Sequence, residues 1–187
     1  MEIVLYIDTC TKYMCVGLSK GDELVYKKKY EAFKRQSEVA ALEIDKCLKE
    51  SNVLPKSLTK IVVTNGPGSY TGIRIGLTLA KVMSKVLNIK LVCLSSLQVM
   101  CGLNDCSAII DAKSKRVYYG KYSNGVSVVN DCVKYVSDLD LNESYIGETS
   151  VIAKEEEEID IIGNMFLLRN SKEVNDIDSV KAVYLKD

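Results

Sequence analysis

The sequence contains no histidine among its 187 residues. This absence excludes serine–histidine and cysteine–histidine catalysis, and every metal site that needs an imidazole ligand. Ser69, which lies in a glycine-rich segment, therefore has no evident general base. We expect its hydroxyl to cap a helix or a turn instead.

Long hydrophobic runs and a cysteine framework are missing as well. No segment approaches the roughly 18 consecutive apolar residues of a membrane span, and the first residues show neither a basic start nor a cleavage site for secretion. The seven cysteines are odd in number and never occur in CxxC spacing. We interpret them as reduced core residues of a cytoplasmic protein. The alternative is a metal site at the C-x4-C pairs, Cys10/Cys15 and Cys101/Cys106.

The chain carries no net charge at pH 7, but its charges are distributed unevenly. Residues 1–96 contain 15 basic and 9 acidic side chains, whereas residues 97–187 contain 10 and 16. A neutral chain is a poor nucleic-acid binder by itself, because affinity for nucleic acids comes largely from phosphate neutralisation. The basic half either forms ordinary solvated surface or contributes charge to a composite surface.

The pattern of apolar residues predicts an α/β protein that begins with an antiparallel meander. A strand over Ile3–Ile7 ends in Asp8, and strands over Tyr13–Leu18 and Glu23–Tyr30 follow it. Further segments predict helices over Gln36–Ser51, over Thr71–Leu87, from Ser95 or Ser96, and around Asn164–Asn170, and strands over Lys60–Thr64 and Lys90–Leu94.

The opening pattern then occurs a second time. A strand over Ser107–Ile110 ends in Asp111, and strands over Arg116–Tyr122 and Val126–Asn130 follow. A glycine lies nine residues after the aspartate in both copies, at Gly17 and Gly120. This order is typical of the ribonuclease-H-like lobes of the actin, sugar-kinase and Hsp70 ATPases. We therefore predict two lobes, residues 1–104 and a shortened second lobe over residues 105–187.

Asp8 and Asp111 end equivalent strands in the two copies. In the actin-like ATPases such aspartates face a cleft that holds nucleotide and Mg²⁺, a cation that prefers oxygen ligands. They are therefore candidates for a nucleotide or cation site. The alternative is that each aspartate caps the turn after its strand.

A glycine-rich loop joins the strand over Lys60–Thr64 to the following helix. Three glycines and a proline predict a tight turn whose N–H groups could face an anion. The segment matches neither a Walker A loop nor the GxGxxG fingerprint. Phosphate binding and a packed turn both remain open. The loop residues that we single out are Gly66, Pro67, Gly68, Ser69, Tyr70, Thr71, Gly72 and Arg74.

The helix after this loop carries small side chains at every fourth position: Gly72, Gly76, Ala80 and Ser84. Ser37, Ala40 and Ala41 make one side of the preceding helix small too. Glycine inside a helix costs about 1 kcal/mol relative to alanine, so Gly76 implies that another backbone approaches closely. That backbone belongs either to the same chain or to a partner.

Three segments are distinctive: IDTCTKYMCVGL from Ile7, NGPGSYTGIRIGLTLAKVMSKVLNIKLVCLSSL from Asn65, and IDAKSKRVYYGKY from Ile110. Together they resemble the TsaB (YeaZ) family over Met1 to about Tyr122. The resemblance implies an accessory subunit in the synthesis of N6-threonylcarbamoyladenosine at position 37 of ANN-decoding tRNAs. It also implies that the chain binds the related subunit TsaD, that TsaE joins the pair, and that the chain forms a self-dimer when TsaD is absent.

The resemblance further implies that the first helix and the loop helix form the partner interface. On this interpretation the interface residues are Ser37, Ala40, Ala41, Gly72, Ile73, Gly76, Ala80, Met83 and Ser84. The family's transferase holds its metal with histidines, so the resemblance places no catalytic residue, metal or cofactor on this chain alone. ATP and metal are expected on the partner subunits, and tRNA only through the complex. Two other functions stay open: an actin-like ATPase or phosphotransferase, and a homodimeric binding module unrelated to tRNA.

Overall fold

A computed structural model describes residues 1–32 and 35–185, which form nine strands and four helices. The strands are β1 Ile3–Asp8, β2 Tyr13–Lys20, β3 Glu23–Glu31, β4 Lys60–Thr64, β5 Lys90–Leu94, β6 Cys106–Lys113, β7 Arg116–Ser123, β8 Val126–Tyr135 and β9 Tyr145–Gly147. The helices are α1 Gln36–Glu50, α2 Tyr70–Leu87, α3 Ser96–Cys101 and α4 Ile161–Leu167. Lys186 and Asp187, which the sequence analysis placed in the second lobe, lie outside the described residues.

The first sheet has five strands in the order β3-β2-β1-β4-β5. Strands β1 to β3 form the predicted antiparallel meander, and β4 and β5 run parallel to β1. Helices α1 and α2 make the crossovers that parallel strands require. All five residues of β4 are buried, as expected for a central strand with both faces covered.

The second sheet repeats this arrangement in a smaller form. Its order is β8-β7-β6-β9, with an antiparallel meander of β6 to β8 and β9 parallel to β6. Strand β9 has only three residues, and a short 3₁₀ turn, Val136–Asp138, stands in the connection before it. The predicted α/β fold of two ribonuclease-H-like lobes, the second shortened, is therefore confirmed.

The two glycines of the repeat leave space for side chains that pack on the sheets. A Cβ atom at Gly17 would lie 2.2 Å from Cγ2 of Ile162, a residue of α4. A Cβ atom at Gly120 would lie 2.4 Å from Oδ1 of Asp131 and 3.3 Å from Cδ1 of Leu97, a residue of α3. Both glycines thus allow close packing between a sheet and its neighbours, because a larger residue would collide with them.

One hydrophobic cluster extends through both sheets, with α3 and α4 packed between them. Its members come from every layer: Val4, Tyr6, Cys15, Val62, Val92 and Leu94 from the first sheet, Leu97, Val99, Met100 and Cys101 from α3, Ala108, Ile110 and Tyr122 from the second sheet, and Ile161, Ile162, Met165 and Leu168 from α4 and its end. We call this set the joint core. The two sheets therefore share one apolar interior.

The described residues after α4, 168–185, return to the first lobe, and we call them the final segment. The Val174 amide donates a hydrogen bond to the Leu91 carbonyl (2.8 Å), and the Val183 amide donates one to the Asn65 carbonyl (2.7 Å). Ile177 and Val180 pack against the core beneath α1 and α2. The sequence predicts that the residues after α4 belong to the second lobe, whereas these contacts are with β5, the glycine-rich loop and the core of the first lobe.

Candidate functional site

The glycine-rich loop is held by three other segments of the same chain. The Ser69 amide donates to the Cys10 carbonyl (2.7 Å), the Ser96 amide donates to the Gly66 carbonyl (2.9 Å), and Asn65 accepts from the final segment. The Ser69 hydroxyl caps α2 by accepting a hydrogen bond from the Gly72 amide (3.2 Å). The predicted capping role of Ser69 is confirmed.

Two loop glycines adopt conformations that other residues avoid. Gly66 has φ +112° and Gly68 has φ +152°. A Cβ atom at Gly68 would lie 2.2 Å from the Cys10 carbonyl oxygen, and one at Gly66 would lie 2.6 Å from the Val183 carbonyl oxygen. Carbonyl oxygens repel phosphate, and they fill the space beside both glycines. The geometry supports the packed turn and offers no cradle for a phosphate there.

The stripe of small residues on α2 faces the first sheet. A Cβ atom at Gly72 would lie 2.0 Å from the Thr9 carbonyl oxygen, and one at Gly76 would lie 2.4 Å from Thr9 Oγ1. The Thr9 hydroxyl in turn donates to the Gly72 carbonyl (2.7 Å). The approaching backbone is thus the turn after β1, and it belongs to the same chain.

This orientation corrects most of the predicted partner interface. Six of its members are buried within the chain: Ala40, Gly72, Ile73, Gly76, Ala80 and Ser84. Met83 is half-buried and packs against the first lobe's core. Only Ser37 and Ala41 are exposed. The chain's own first sheet covers the six buried residues, which corrects their placement in a partner contact. For Ser37, Ala41 and Met83 that placement stays a prediction.

The exposed sides of α1 and α2 form a shallow groove of about 420 Å³, which we call the helix groove. Its lining is mostly small, apolar or hydroxyl-bearing: Ser37, Ala41, Tyr70, Thr71, Arg74, Ile75, Thr78 and Leu79. Among the described residues that line the groove, Arg74 is the one with a charge. The exposed apolar surface continues beside the groove, where Leu42, Val82 and Val86 are 67%, 54% and 78% exposed.

Aromatic stacking marks one end of the helix groove. The ring of Tyr70 stacks on that of Tyr184, with centroids 4.9 Å apart, and the Arg74 guanidinium lies 4.8 Å from the Tyr70 centroid. Tyr184 belongs to the final segment, so the sequence carried no local signal that it meets α2. The loop residues Tyr70, Thr71 and Arg74 lie at the surface as part of the groove.

Asp8 is buried at the end of β1 and is hydrogen-bonded both to the neighbouring strand β4 and to its own turn. Its Oδ1 accepts from the Thr64 hydroxyl (2.5 Å) and from the Cys10 amide (3.3 Å). Burial raises the pKa of this carboxyl, against the effect of these hydrogen bonds. Asp8 therefore fits the role of a residue that fixes the turn.

Asp111 has a different environment. Burial acts to raise its pKa, but hydrogen bonds from the Lys113 side chain (2.5 Å) and amide (2.8 Å) outweigh burial and lower it. Asp111 lines a cavity of about 610 Å³ together with Lys113, Arg116 and Tyr135. Asp8 is enclosed by Thr64 and Cys10, whereas Asp111 opens onto this cavity, whose lining does not include Asp8. A nucleotide or cation site at either aspartate stays a prediction.

Asp8→Asn and Asp111→Asn are expected to change stability in opposite ways as pH varies. The folded protein holds the Asp8 proton more tightly than the unfolded chain, so wild-type stability falls as pH rises from about 4 through the folded pKa. Asp8→Asn removes this loss, and its stability relative to wild type should increase with pH. The lowered pKa of Asp111 adds stability that is lost as pH falls below about 4, so Asp111→Asn should fall behind wild type as pH rises through that range.

Urea unfolding of both variants and the wild type between pH 3 and pH 7 measures this difference. If the free energy of unfolding changed with pH in the same way for Asp8→Asn and the wild type, the pKa of Asp8 would be the same in the folded and the unfolded chain, which would contradict the prediction.

The cleft between the two lobes has a volume of about 450 Å³ and walls of opposite charge. Lys12 and Lys29 lie on one wall, and the Lys29 ammonium is 4.6 Å from the centroid of the Tyr13 ring. The other wall carries carboxylates, of which Glu156 approaches Lys12 at 3.9 Å. The acidic lining residues are Glu148, Glu156, Glu157 and Glu158.

These carboxylates make the cleft a poor site for a triphosphate. Among the described residues of the lining, two ammonium groups face four carboxylates, so a nucleotide would meet net negative charge from them. Within residues 1–32 and 35–185, no three Cys, Asp or Glu side chains converge on a point that could hold a metal ion.

The described part of the chain contains no helix that could span a membrane. None of its helices combines the length and the apolar composition needed to cross a bilayer.

Comparisons with known proteins give a consistent result. A family model described as TsaD, tRNA N6-adenosine threonylcarbamoyltransferase, matches residues 29–164. The tRNA threonylcarbamoyladenosine biosynthesis protein TsaB of Bacillus subtilis is 36% identical over 132 residues, which cover 66% of this chain and 57% of that protein. The chain therefore spans little more than half of this relative's length.

Two other matches extend along nearly the whole chain. An uncharacterised protein of Mycoplasma pneumoniae is 26% identical over 200 residues, with 98% of this chain and 94% of that protein covered. The solved structure of YeaZ from Pseudomonas aeruginosa superposes with a TM-score of 0.83 at 18% identity, and covers 99% of this chain and 100% of that one. At that identity, the likeness establishes the fold.

Proposed function

Because this chain belongs to the TsaD family and, within it, to the TsaB (YeaZ) proteins, we propose that it is a non-catalytic subunit for synthesis of N6-threonylcarbamoyladenosine. In this proposal it binds TsaD, TsaE joins the pair, and the modified substrates are ANN-decoding tRNAs. The biosynthetic name of the Bacillus subtilis relative supports the reaction. The family model that matches this chain is itself described as TsaD, so the proposed partner would be a related protein.

The helix groove is the observation that carries this proposal. Contiguous exposed apolar surface with few charges is typical of protein interfaces. Leu42, Val82 and Val86 extend the apolar surface on both helices, and Tyr70 with Arg74 supplies the residue types that often dominate interface energy. A related subunit could present its own equivalent helices, and the two pairs would pack as a four-helix contact.

The division of labour follows from the residues that this chain has. It has no histidine, so the transferase site and its metal are assigned to TsaD. The charge of the cleft disfavours triphosphate, so ATP is assigned to the partner subunits. The chain is neutral as a whole, so tRNA is assigned to the assembled complex.

Thr78→Arg is expected to weaken TsaD binding by about tenfold or more, because burying an unpaired guanidinium in an interface costs several kcal/mol. Thr78 is exposed in the helix groove, so the variant should fold normally. Val128→Arg is the matched control, since Val128 is 59% exposed on β8, far from the groove in the topology. Calorimetric titration of each variant with TsaD gives the affinities, and thermal unfolding checks the fold.

If Thr78→Arg bound TsaD as tightly as the wild type and Val128→Arg bound it more weakly, the interface would lie on the second lobe. A homodimeric module would give a third pattern: Thr78→Arg would become monomeric in sedimentation, while the wild type would show no affinity for TsaD.

A further inference from the structure

Two cysteines meet where the first lobe passes into the second. Cys101 is the last residue of α3, and Cys106 is the first residue of β6. Their sulfur atoms are 2.6 Å apart, and Cys101 also contacts the Cys106 carbonyl oxygen at 3.4 Å. Both are free thiols. No other part of the proposed function uses this pair.

We propose that Cys101 and Cys106 form a thiol-oxidation site, at which peroxide closes a disulfide across the junction of the two lobes. A disulfide bond is about 2.05 Å long, so the sulfur atoms need to approach by only about half an ångström. The short loop between them is already held from outside. A Cβ atom at Gly102 would lie 2.5 Å from Oδ1 of Asn164, whose Nδ2 donates to the Val99 carbonyl (2.8 Å).

The two thiols differ in the way that such a site requires. Cys106 is half-buried, whereas Cys101 is enclosed in the joint core. The hydrogen bond between the two sulfur atoms lowers the pKa of Cys106 and raises the pKa of Cys101. A thiolate is the reactive form of cysteine, so Cys106 is the attacking residue and Cys101 the resolving one. By contrast, burial raises the pKa of Cys47 to about 12 and of Cys93 to about 11.

The reaction balances with hydrogen peroxide as the oxidant. The Cys106 thiolate attacks one peroxide oxygen, the S–O bond forms, the O–O bond breaks, and the leaving hydroxide takes a proton to become water. The Cys101 sulfur then attacks the Cys106 sulfenic acid. The S–S bond forms, the S–O bond breaks, and the departing hydroxide leaves as water with the Cys101 proton. Two thiols are oxidised, and one peroxide is reduced to two waters.

The experiment uses the full chain, first reduced and then treated with increasing hydrogen peroxide. Remaining thiols are alkylated with iodoacetamide, and peptides are mapped by mass spectrometry without reduction. We expect one peptide with a Cys101–Cys106 link and a mass loss of about 2 Da, reversed by dithiothreitol. Cys106 should react at least about tenfold faster than Cys132, the other half-buried cysteine of the second lobe.

Two variants separate the roles of the sulfurs. In Cys101→Ala, oxidation should stop at a Cys106 sulfenic acid that dimedone traps, and Cys132→Ser should form the same disulfide as wild type. If either variant does not fold, the wild-type peptide map by itself still shows whether the Cys101–Cys106 disulfide forms. Oxidation of Cys132 at the same rate as Cys106, or a dimedone adduct without a disulfide in wild type, would overturn the proposal.

Discussion

Gly72→Ala is expected to destabilise the protein by roughly 3 kcal/mol or more. Helix propensity alone predicts the opposite sign, because alanine is favoured over glycine in a helix by about 1 kcal/mol. The new Cβ atom would lie 2.0 Å from the Thr9 carbonyl oxygen, so either α2 or the turn after β1 has to move. Because the obstacle is a backbone atom, no side-chain rotation relieves the collision.

Thr78→Ala on the same helix is the matched control. Thr78 is exposed, so its replacement should alter the free energy of unfolding by about 0.5 kcal/mol or less. Urea unfolding followed by circular dichroism measures both variants. Gly76→Ala should lie between them, because its Cβ meets the rotatable Thr9 hydroxyl. A Gly72→Ala variant as stable as wild type would mean that α2 does not dock on Thr9.

Leu97→Ala is expected to cost about 3 kcal/mol and to destabilise both lobes together. Leu97 is fully buried in α3, and the joint core around it contains residues from both sheets. Deleting its branched side chain leaves a cavity that neither sheet can fill alone. Calorimetry should therefore show one unfolding transition in wild type and in the variant, with the midpoint of the variant lowered.

Leu103→Ala serves as the control for this prediction. Leu103 follows α3 by two residues but is 42% exposed, so its truncation removes far less buried surface. Two separate transitions, with only one of them shifted by Leu97→Ala, would contradict a shared interior and would mean that the lobes fold as independent units.

Much of the secondary structure could be predicted because its signals are local. Strands β4 and β5 begin and end at the predicted residues, since β-branched residues and flanking polar residues mark them. Strand β8 continues to Tyr135, well past the predicted end at Asn130. The pair Asn130-Asp131 is typical of a turn, but Asp131 accepts hydrogen bonds from Ser95 and Tyr122 (both 2.5 Å), and these contacts are distant in sequence.

The bounds of the helix α4 also differ from the predicted ones. It spans Ile161–Leu167, earlier than the predicted 164–170, and its cap is Asp160, which accepts from the Gly163 amide (3.0 Å). Aspartate is a preferred N-cap residue and glutamate is not, so Asp160 was the local signal for this earlier start.

The candidate site was harder to predict than the fold. A stripe of small residues shows that something approaches closely, but its spacing is the same for a sheet and for a partner. On α2, Ile73 and Leu77 share the buried side of Gly72 and Gly76, whereas Arg74 and Thr78 are exposed. Val82 and Val86 are also apolar, yet they are exposed beside the helix groove, so hydrophobicity alone does not separate the two sides of α2.

The final segment bears on the order in which the binding surface is completed. Val174 and Val183 bond to β5 and to the glycine-rich loop, and Tyr184 stacks on Tyr70 at the end of the helix groove. These residues leave the ribosome after all the elements that they hold. A nascent chain that ends after α4 would therefore lack Tyr184 at the end of the helix groove. A partner that contacts Tyr184 would bind such incomplete translation products less tightly than the full chain.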